Sequence, residues 1–228
     1  MPRVLIVPAE TFAARAAECL VHALRTLAAE GPVSMALAGG ATPRAVYASL
    51  AAADLPWDRL RVYFGDERAV GPDHPDSNYR MVRDALLSRV PIPDVQVFRM
   101  QAEDADLEAA AAAYAAVLPG RLDLLVLGVG ADGHTASLFP GSTAAQERRR
   151  TVVPAFAPDP PRERLTITRP VIWTARHTLV LVAGAGKAAA VRAALQGPED
   201  LNGCPAQLAR RGLWVLDANA ASRLSKSE

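Results

Sequence analysis

The chain of 228 residues is 50% hydrophobic and 21% charged, and its formal net charge is +1. This hydrophobicity excludes a disordered chain, and the sequence has no run of about 20 apolar residues of the kind that a membrane-spanning helix needs. The balanced charge provides no basic surface for nucleic acid or for an anionic membrane, so an anionic ligand requires a local site.

Short apolar runs alternate with segments of helical length along the whole chain. The predicted strands cover residues 3–7, 33–38, 60–64, 94–98, 122–127, 151–156, 164–168, 178–182 and 212–216. The predicted helices cover residues 9–29, 43–53, 77–89, 104–117, 186–195 and 205–210. Several strands are continuously apolar, which is typical of a parallel sheet covered on both faces. The pattern predicts an α/β fold with a doubly wound, mostly parallel sheet and helices on both faces.

The compartment and the domain organisation follow from three further features. The N-terminus lacks the apolar length and cleavage pattern of a signal peptide, and the chain has only two cysteines, Cys19 and Cys204. Both observations favour a reducing cytoplasm without a disulfide framework. The four histidines are scattered, which argues against a metal site. The proline-rich segment 154–164 is expected to be a surface loop within a single domain over residues 1–228, because the strand pattern resumes after it.

Ligands of an open parallel sheet bind where the carboxyl ends of strands meet the loops that lead to helices. The first such loop is 39–43 (Gly-Gly-Ala-Thr-Pro). Its glycines allow backbone N–H groups to approach an anion, and Thr42 is expected to cap a helix whose first residue is Pro43. An ordinary strand–turn–helix junction is the alternative interpretation.

Charged and polar residues follow the predicted strand 60–64. Asp66 and Glu67 lie beside Arg68, so this segment can supply acid–base groups with a counter-ion, whereas a solvated loop is the alternative. The next polar run, 76–79 (Asp-Ser-Asn-Tyr), is typical of a helix N-terminus, and capping is its simplest interpretation.

The most informative loop is 128–134 (Gly-Val-Gly-Ala-Asp-Gly-His), directly after the predicted strand 122–127. It matches a dinucleotide-binding fingerprint poorly, because its third glycine comes one position early. His134 lies two residues from Asp132 and suits proton transfer, since a neutral imidazole accepts a proton near pH 7 while a carboxylate fixes its tautomer. A structural histidine is the alternative. Residues 135–139 are expected to begin a helix.

Lys187 is one of only two lysines, and the other, Lys226, lies in the C-terminal tail. It follows the glycines of 184–186 at the start of a predicted helix. A cation is unfavourable at a helix N-terminus unless an anion lies beside it, so this position indicates a phosphate ligand. The sequence contains neither a Walker motif nor Gly-x-Ser-x-Gly, which argues against nucleotide hydrolysis and a serine nucleophile.

Together these motifs resemble the 6-phosphogluconolactonase family, in the superfamily shared with glucosamine-6-phosphate isomerases/deaminases. The resemblance runs from about residue 10 to residue 216 and rests on five motifs in order, at 39–43, 66–68 with 76–79, 128–140, 164–168 and 184–187. It implies a Rossmann-like fold and a cytoplasmic enzyme without a cofactor, which hydrolyses 6-phospho-D-glucono-1,5-lactone in the pentose phosphate pathway. The implied partner is this small sugar-phosphate lactone, without nucleic acid or membrane, and the expected state is a monomer or weak dimer.

The resemblance also implies roles for individual residues. His134 corresponds to the catalytic histidine and would deprotonate water, with Asp132 or Asp66 orienting it and Arg68 stabilising the oxyanion. The residues expected to bind substrate and phosphate are Gly39, Gly40, Ala41, Thr42, Asn78, Arg164 and Lys187. Ala41 replaces a serine of the family's loop, which removes one hydroxyl donor.

Two other functions stay open. An isomerase or deaminase would share the phosphate site but use an acidic base, and that group tends to have an aromatic residue where this chain has Arg68. A non-catalytic sugar-phosphate sensor usually carries a DNA-binding helix pair, for which a sheet that begins at residue 3 leaves no room.

Overall fold

The structure is a computed structural model that describes residues 2–225, so Lys226 lies outside the described residues. The strands are β1 (Arg3–Val7), β2 (Val33–Leu37), β3 (Leu60–Phe64), β4 (Asp66–Arg68), β5 (Leu124–Leu127), β6 (Val152–Phe156), β7 (Glu163–Ile167), β8 (His177–Val182) and β9 (Leu213–Asp217). The α-helices are α1 (Phe12–Glu30), α2 (Ala41–Leu50), α3 (Asn78–Ala85), α4 (Leu107–Val117), α5 (Thr143–Gln146), α6 (Arg169–Thr174) and α7 (Ala188–Gln196).

Six strands form a parallel sheet in the order β1-β9-β8-β5-β2-β3. Every residue of β2 and β5 is buried. Because successive side chains of a strand point to opposite faces, both faces of the central sheet are covered. Helix α1 packs against α2 and contacts β2 and β9. The predicted α/β fold with a mostly parallel, doubly covered sheet is therefore confirmed.

A second sheet was not predicted. It is antiparallel, with the order β4-β7-β6, and strand β4 follows β3 after the single residue Gly65. The proline-rich segment belongs to this sheet: its two ends lie in β6 and β7, and residues 157–162 connect them as a hairpin loop. The short polar run of β4 has no apolar alternation, so its pairing with β7 is visible only in three dimensions.

Three predicted elements differ from the structure. Residues 94–98 contain a 3₁₀ turn, Asp94–Gln96, and make only one bridge to the sheet, between Val97 and Val62. Residues 135–139 form tight turns instead of a helix, and Ala136 has a φ of +48° that a helix does not allow. The predicted helix 205–210 is a 3₁₀ helix, Pro205–Ala209.

Helix α2 begins two residues earlier than predicted. Its N-cap is Gly40, with a φ of +103°, and not Thr42. Pro43 is therefore the third helical residue and not the first. It is still tolerated, because the backbone N–H groups of the first turn have no helical acceptor and proline lacks only such a group. Among residues 2–225, no helix combines the length and apolar character that crossing a membrane requires.

Candidate active site

A cleft of about 660 Å³ lies at the carboxyl edge of the parallel sheet, among the loops that follow β2, β3, β5 and β8. This volume suits a small metabolite. The predicted site residues all line it, namely Asp66, Arg68, Asp132, His134, Gly39, Gly40, Ala41, Thr42, Asn78, Arg164 and Lys187. The structure thus brings together side chains that are more than one hundred residues apart in the sequence.

His134 and Asp132 form a hydrogen-bonded pair within the loop after β5. Nδ1 of His134 lies 2.6 Å from Oδ1 of Asp132, and the same oxygen accepts a hydrogen bond from the backbone N–H of His134 at 3.1 Å. The carboxylate favours the tautomer with its proton on Nδ1, which leaves the Nε2 lone pair free to accept a proton. The imidazole packs against Phe139, with 4.6 Å between the ring centroids, and its side chain stays 32% exposed.

Gly130 makes this pair sterically possible. A Cβ atom at residue 130 would lie 2.1 Å from Nδ1 of His134 and 2.5 Å from Oδ1 of Asp132. Both distances are far shorter than van der Waals contact, so any larger residue would displace the pair. The glycine-rich character of this loop therefore serves the position of an imidazole, and not only the turn of the backbone.

Asp66 belongs to a different set of contacts. Its side chain is buried, its Oδ2 accepts a hydrogen bond from the hydroxyl of Ser137 at 2.7 Å, and Asn78 donates to its backbone carbonyl at 2.8 Å. Of the two carboxylates proposed to orient His134, the one in contact with it is Asp132. Ser137 was missed by the sequence interpretation, because its partner is 71 residues away in the chain.

The contacts of Glu67 indicate a structural role and not a catalytic one. Its carboxylate is buried and accepts hydrogen bonds from the backbone N–H groups of Arg68, Asn78 and Tyr79 and from the hydroxyl of Ser77. Burial raises the pKa of Glu67, while the three backbone donors act in the opposite direction. Four donors occupy its oxygens, so Glu67 holds the start of α3 against β4 and is not available for proton transfer.

Arg68 and Arg164 lie directly opposite each other on β4 and β7. The guanidinium of Arg68 donates to the backbone carbonyl of Asp76, but the Nε atoms of both arginines are buried without a hydrogen-bond partner among the described residues. Burial and the neighbouring charge of Arg68 lower the pKa of Arg164. Two partly buried cations side by side are unfavourable unless negative charge lies close to them, so this pair indicates an anionic ligand.

The loop after β2 is shaped by Asn78. A Cβ atom at Gly39 would lie 1.7 Å from Oδ1 of Asn78, so the close approach of this buried amide requires glycine. The next residues, Ala41 and Thr42, open α2, and their backbone N–H groups have no acceptor within the helix. These N–H groups and the helix dipole form a second anion-binding element in the cleft.

Lys187 lies at the end of the 3₁₀ turn Ala185–Lys187, directly before α7. The turn is held in place by Asp217, whose two carboxylate oxygens both accept from the backbone N–H of Gly184 at 3.0 Å. Gly184 has a φ of +98°, which favours glycine. Lys187 makes no salt bridge with a described residue, and it lines the cleft. Its ammonium group is therefore placed where it can bind an anionic group of a ligand.

Residues that the sequence interpretation did not select also line the cleft. They include Ser137, Phe139, Asp159 and the end of β8. Asp159 comes from the β6–β7 hairpin, which had been interpreted only as a surface loop. A proline-rich segment carries no sign of the hairpin that turns it towards the carboxyl edge of another sheet.

Comparison with known proteins places the chain in a family. Residues 8–216 match the model of the glucosamine-6-phosphate isomerases/6-phosphogluconolactonase family. The chain belongs to this family. A 6-phosphogluconolactonase of Nostoc sp. is 38% identical over 235 residues, which cover 96% of this chain and 97% of the relative. One of Streptomyces coelicolor is 39% identical, with 94% and 90% covered.

The fold agrees with a solved member of the family. The structure of 6-phosphogluconolactonase from Trypanosoma brucei superposes with a TM-score of 0.86 at 31% identity and covers 99% of each chain. The family resemblance inferred from the five motifs is therefore confirmed, and so is the α/β fold that it implied.

Proposed function

We propose that this protein hydrolyses 6-phospho-D-glucono-1,5-lactone to 6-phospho-D-gluconate. The observation that carries the proposal is the convergence of the His134–Asp132 pair and three cationic side chains, Arg68, Arg164 and Lys187, on one cleft. Its curated relatives at 38% and 39% identity are 6-phosphogluconolactonases, which supports the same activity here.

The proposed reaction begins when Nε2 of His134 accepts a proton from a water molecule. The water oxygen forms a bond to C1 of the lactone, and the carbonyl oxygen becomes an oxyanion that Arg68 stabilises. The bond between C1 and the ring oxygen then breaks, and the imidazolium returns its proton to that oxygen. Asp132 holds the ring through Nδ1 and stabilises the imidazolium. These residues, water and substrate supply every atom and proton, so we propose a reaction without a cofactor.

The phosphate of the substrate occupies the other part of the proposed site. Arg164, Lys187 and the backbone N–H groups of Ala41 and Thr42 provide its positive surroundings. Ala41 supplies no hydroxyl, so the backbone and Thr42 replace that donor. Asn78, which lies between Gly39 and Asp66, positions both loops. A fixed phosphate orients the lactone carbonyl toward His134.

The wider setting is also part of the proposal. We infer a cytoplasmic enzyme that acts as a monomer or weak dimer on a small sugar-phosphate lactone and binds neither nucleic acid nor membrane. We further infer one domain over residues 1–228, which is supported by the pairing of β1 with β9 and by a continuous apolar core.

The experiment that tests this function couples lactone opening to 6-phosphogluconate dehydrogenase and NADP. We expect the formation of NADPH to exceed the rate of spontaneous lactone opening in proportion to enzyme concentration. A rate equal to the spontaneous one would reject the proposal. Ammonia release from glucosamine 6-phosphate is measured in parallel, since its appearance would favour the isomerase/deaminase alternative.

A further inference from the structure

A second cleft, of about 510 Å³, lies at the opposite edge of the parallel sheet, where the amino ends of the strands meet α1. Strand β8 separates the two clefts, because His177 and Leu179 line this one while Leu181 and Val182 line the active-site cleft. The second cleft is therefore distinct from the catalytic site, and its volume is within the range of small-molecule sites.

Basic side chains are concentrated in this cleft. Its lining includes Arg3, Arg176, Arg211, His22 and His177, and its only lining carboxylate among the described residues belongs to a glutamate of α1. A chain with a net charge of +1 does not produce such a concentration through general basicity.

The acidic residues nearby already have partners. Glu18 of the lining pairs with Arg15 at 2.5 Å, and Arg176 pairs with Glu30 at 2.7 Å. Arg3 and Arg211, in contrast, form no salt bridge or side-chain hydrogen bond with any residue from 2 to 225. Both arginines are exposed at the cleft, so their guanidinium groups are accessible to a ligand and are not occupied by a described residue.

The strand register shows that these charges converge. Arg3 is paired with Leu213, and Leu213 is paired on its other side with Leu179. By the same register, Arg211, which lies two residues before Leu213, is level with His177, the first residue of β8. Burial lowers the pKa of His177, and the positive charges of Arg176 and Arg3 lower this pKa further, as expected where cations gather.

The floor of the cleft is apolar. Its accessible part is formed by the partly exposed Ala23 and Leu213. Leu27, Leu124 and Leu179 lie beneath this surface and are at most 4% exposed. An apolar floor accepts the face of a ring, whereas planar guanidinium groups suit the oxygens of a phosphate. We propose that this cleft binds a small organic phosphate of the nucleoside monophosphate class, with its ring on the apolar surface of Ala23 and Leu213 and its phosphate at Arg3 and Arg211.

Calorimetric titration of the whole protein with adenosine 5′-monophosphate tests the proposal. We expect saturable binding that weakens at least about ten-fold in the double variant Arg3→Gln/Arg211→Gln, because the loss of even one charge-assisted contact has an effect of about this size. Arg192→Gln is the matched control, since Arg192 is an exposed arginine outside both clefts, and it should bind as the unmodified protein does. Thermal unfolding of each variant checks that it is folded.

A second comparison separates the two clefts. Lys187→Met should leave the binding of the nucleotide unchanged, because Lys187 lines only the active-site cleft. Loss of binding in Lys187→Met with retention in the double variant would place the nucleotide in the active site and overturn the proposal. Absence of binding at millimolar nucleotide would also overturn it. Adenosine and inorganic phosphate, both titrated into Lys187→Met so that the proposed phosphate site of the active-site cleft is weakened, should each bind more weakly than the nucleotide does in the same variant. Equal binding of either would reject combined recognition of ring and phosphate.

Discussion

Nδ1 of His134 lies 2.6 Å from Oδ1 of Asp132, and both residues belong to the glycine-rich segment 128–134 directly after β5. The two residues are close in sequence, but their proposed catalytic role also depends on the side chains that line the same cleft. Arg68 comes from the second sheet and Lys187 from the turn before α7, and both line the same cleft.

Replacing His134 by alanine should reduce kcat by about 10²–10⁴-fold, because a positioned general base is lost. The side chain is 32% exposed and lies on a loop, so the unfolding temperature should change little. The coupled lactonase assay and a thermal melt measure the two effects. A variant that keeps normal kcat would remove His134 from the mechanism, and one that melts far earlier would indicate a structural histidine.

Gly130→Ala should lower kcat strongly, because the added Cβ atom would lie 2.1 Å from Nδ1 of His134. Gly128→Ala is the matched control in the same loop, since a Cβ atom there meets nothing within 4 Å. We expect the control to lose far less activity. Equal losses in the two variants would mean that loop flexibility, and not the position of the imidazole, is affected.

Asp132→Asn and Asp66→Asn should have different consequences. Asp132 contacts the imidazole, so its amide variant should lower kcat while the stability of the fold changes little. Asp66 is buried and bonded to Ser137, so Asp66→Asn should also destabilise the protein by about 1–3 kcal/mol. Urea unfolding together with kcat measures both quantities. The reverse pattern would show that Asp66 orients the base.

Lys187→Met and Arg68→Met should separate binding from chemistry. Phosphate carries the same charge in the ground and transition states, so loss of Lys187 should mainly raise KM. Oxyanion charge develops only during attack, so loss of Arg68 should lower kcat by about 10²–10³-fold. Arg68→Lys should rescue only part of the activity, since lysine lacks the planar fork of arginine. Nearly full rescue would indicate that Arg68 mainly holds its loop.

The raised pKa of the buried Glu67 carboxyl should make the stability of the protein depend on pH. Burial raises its folded pKa above the unfolded value, so its contribution to stability is largest below the ordinary glutamate pKa of about 4.3 and is lost as the pH rises through the folded pKa. Glu67→Gln turns one acceptor into a donor that faces backbone N–H groups and should destabilise the protein. Denaturant unfolding is measured from below the ordinary glutamate pKa to above the folded pKa of Glu67. The difference in unfolding free energy between the unmodified protein and Glu67→Gln should narrow as the pH rises. A constant difference would contradict the raised pKa.

Much of the fold was readable in the sequence because its signals are local. Continuous apolar runs such as Val33–Leu37 and Leu124–Leu127 identify central strands of a parallel sheet. A run such as Asp66–Arg68 carries no periodicity, and the antiparallel sheet that it joins was therefore not predicted. The turns at 135–139 were misread because a positive φ at Ala136 is imposed by surrounding structure and not by alanine itself.

The residue types available at each strand end could be read from the amino-acid sequence, including the imidazole with its neighbouring carboxylate, the glycines and the rare lysine. The packing of the folded chain was needed to show that Asp66 binds Ser137 and not His134, and that Arg68 faces Arg164 across two strands. The physical reason is distance along the chain. Contacts within a loop follow from its own geometry, whereas contacts between residues 71 or more positions apart depend on how separate strands pair and pack.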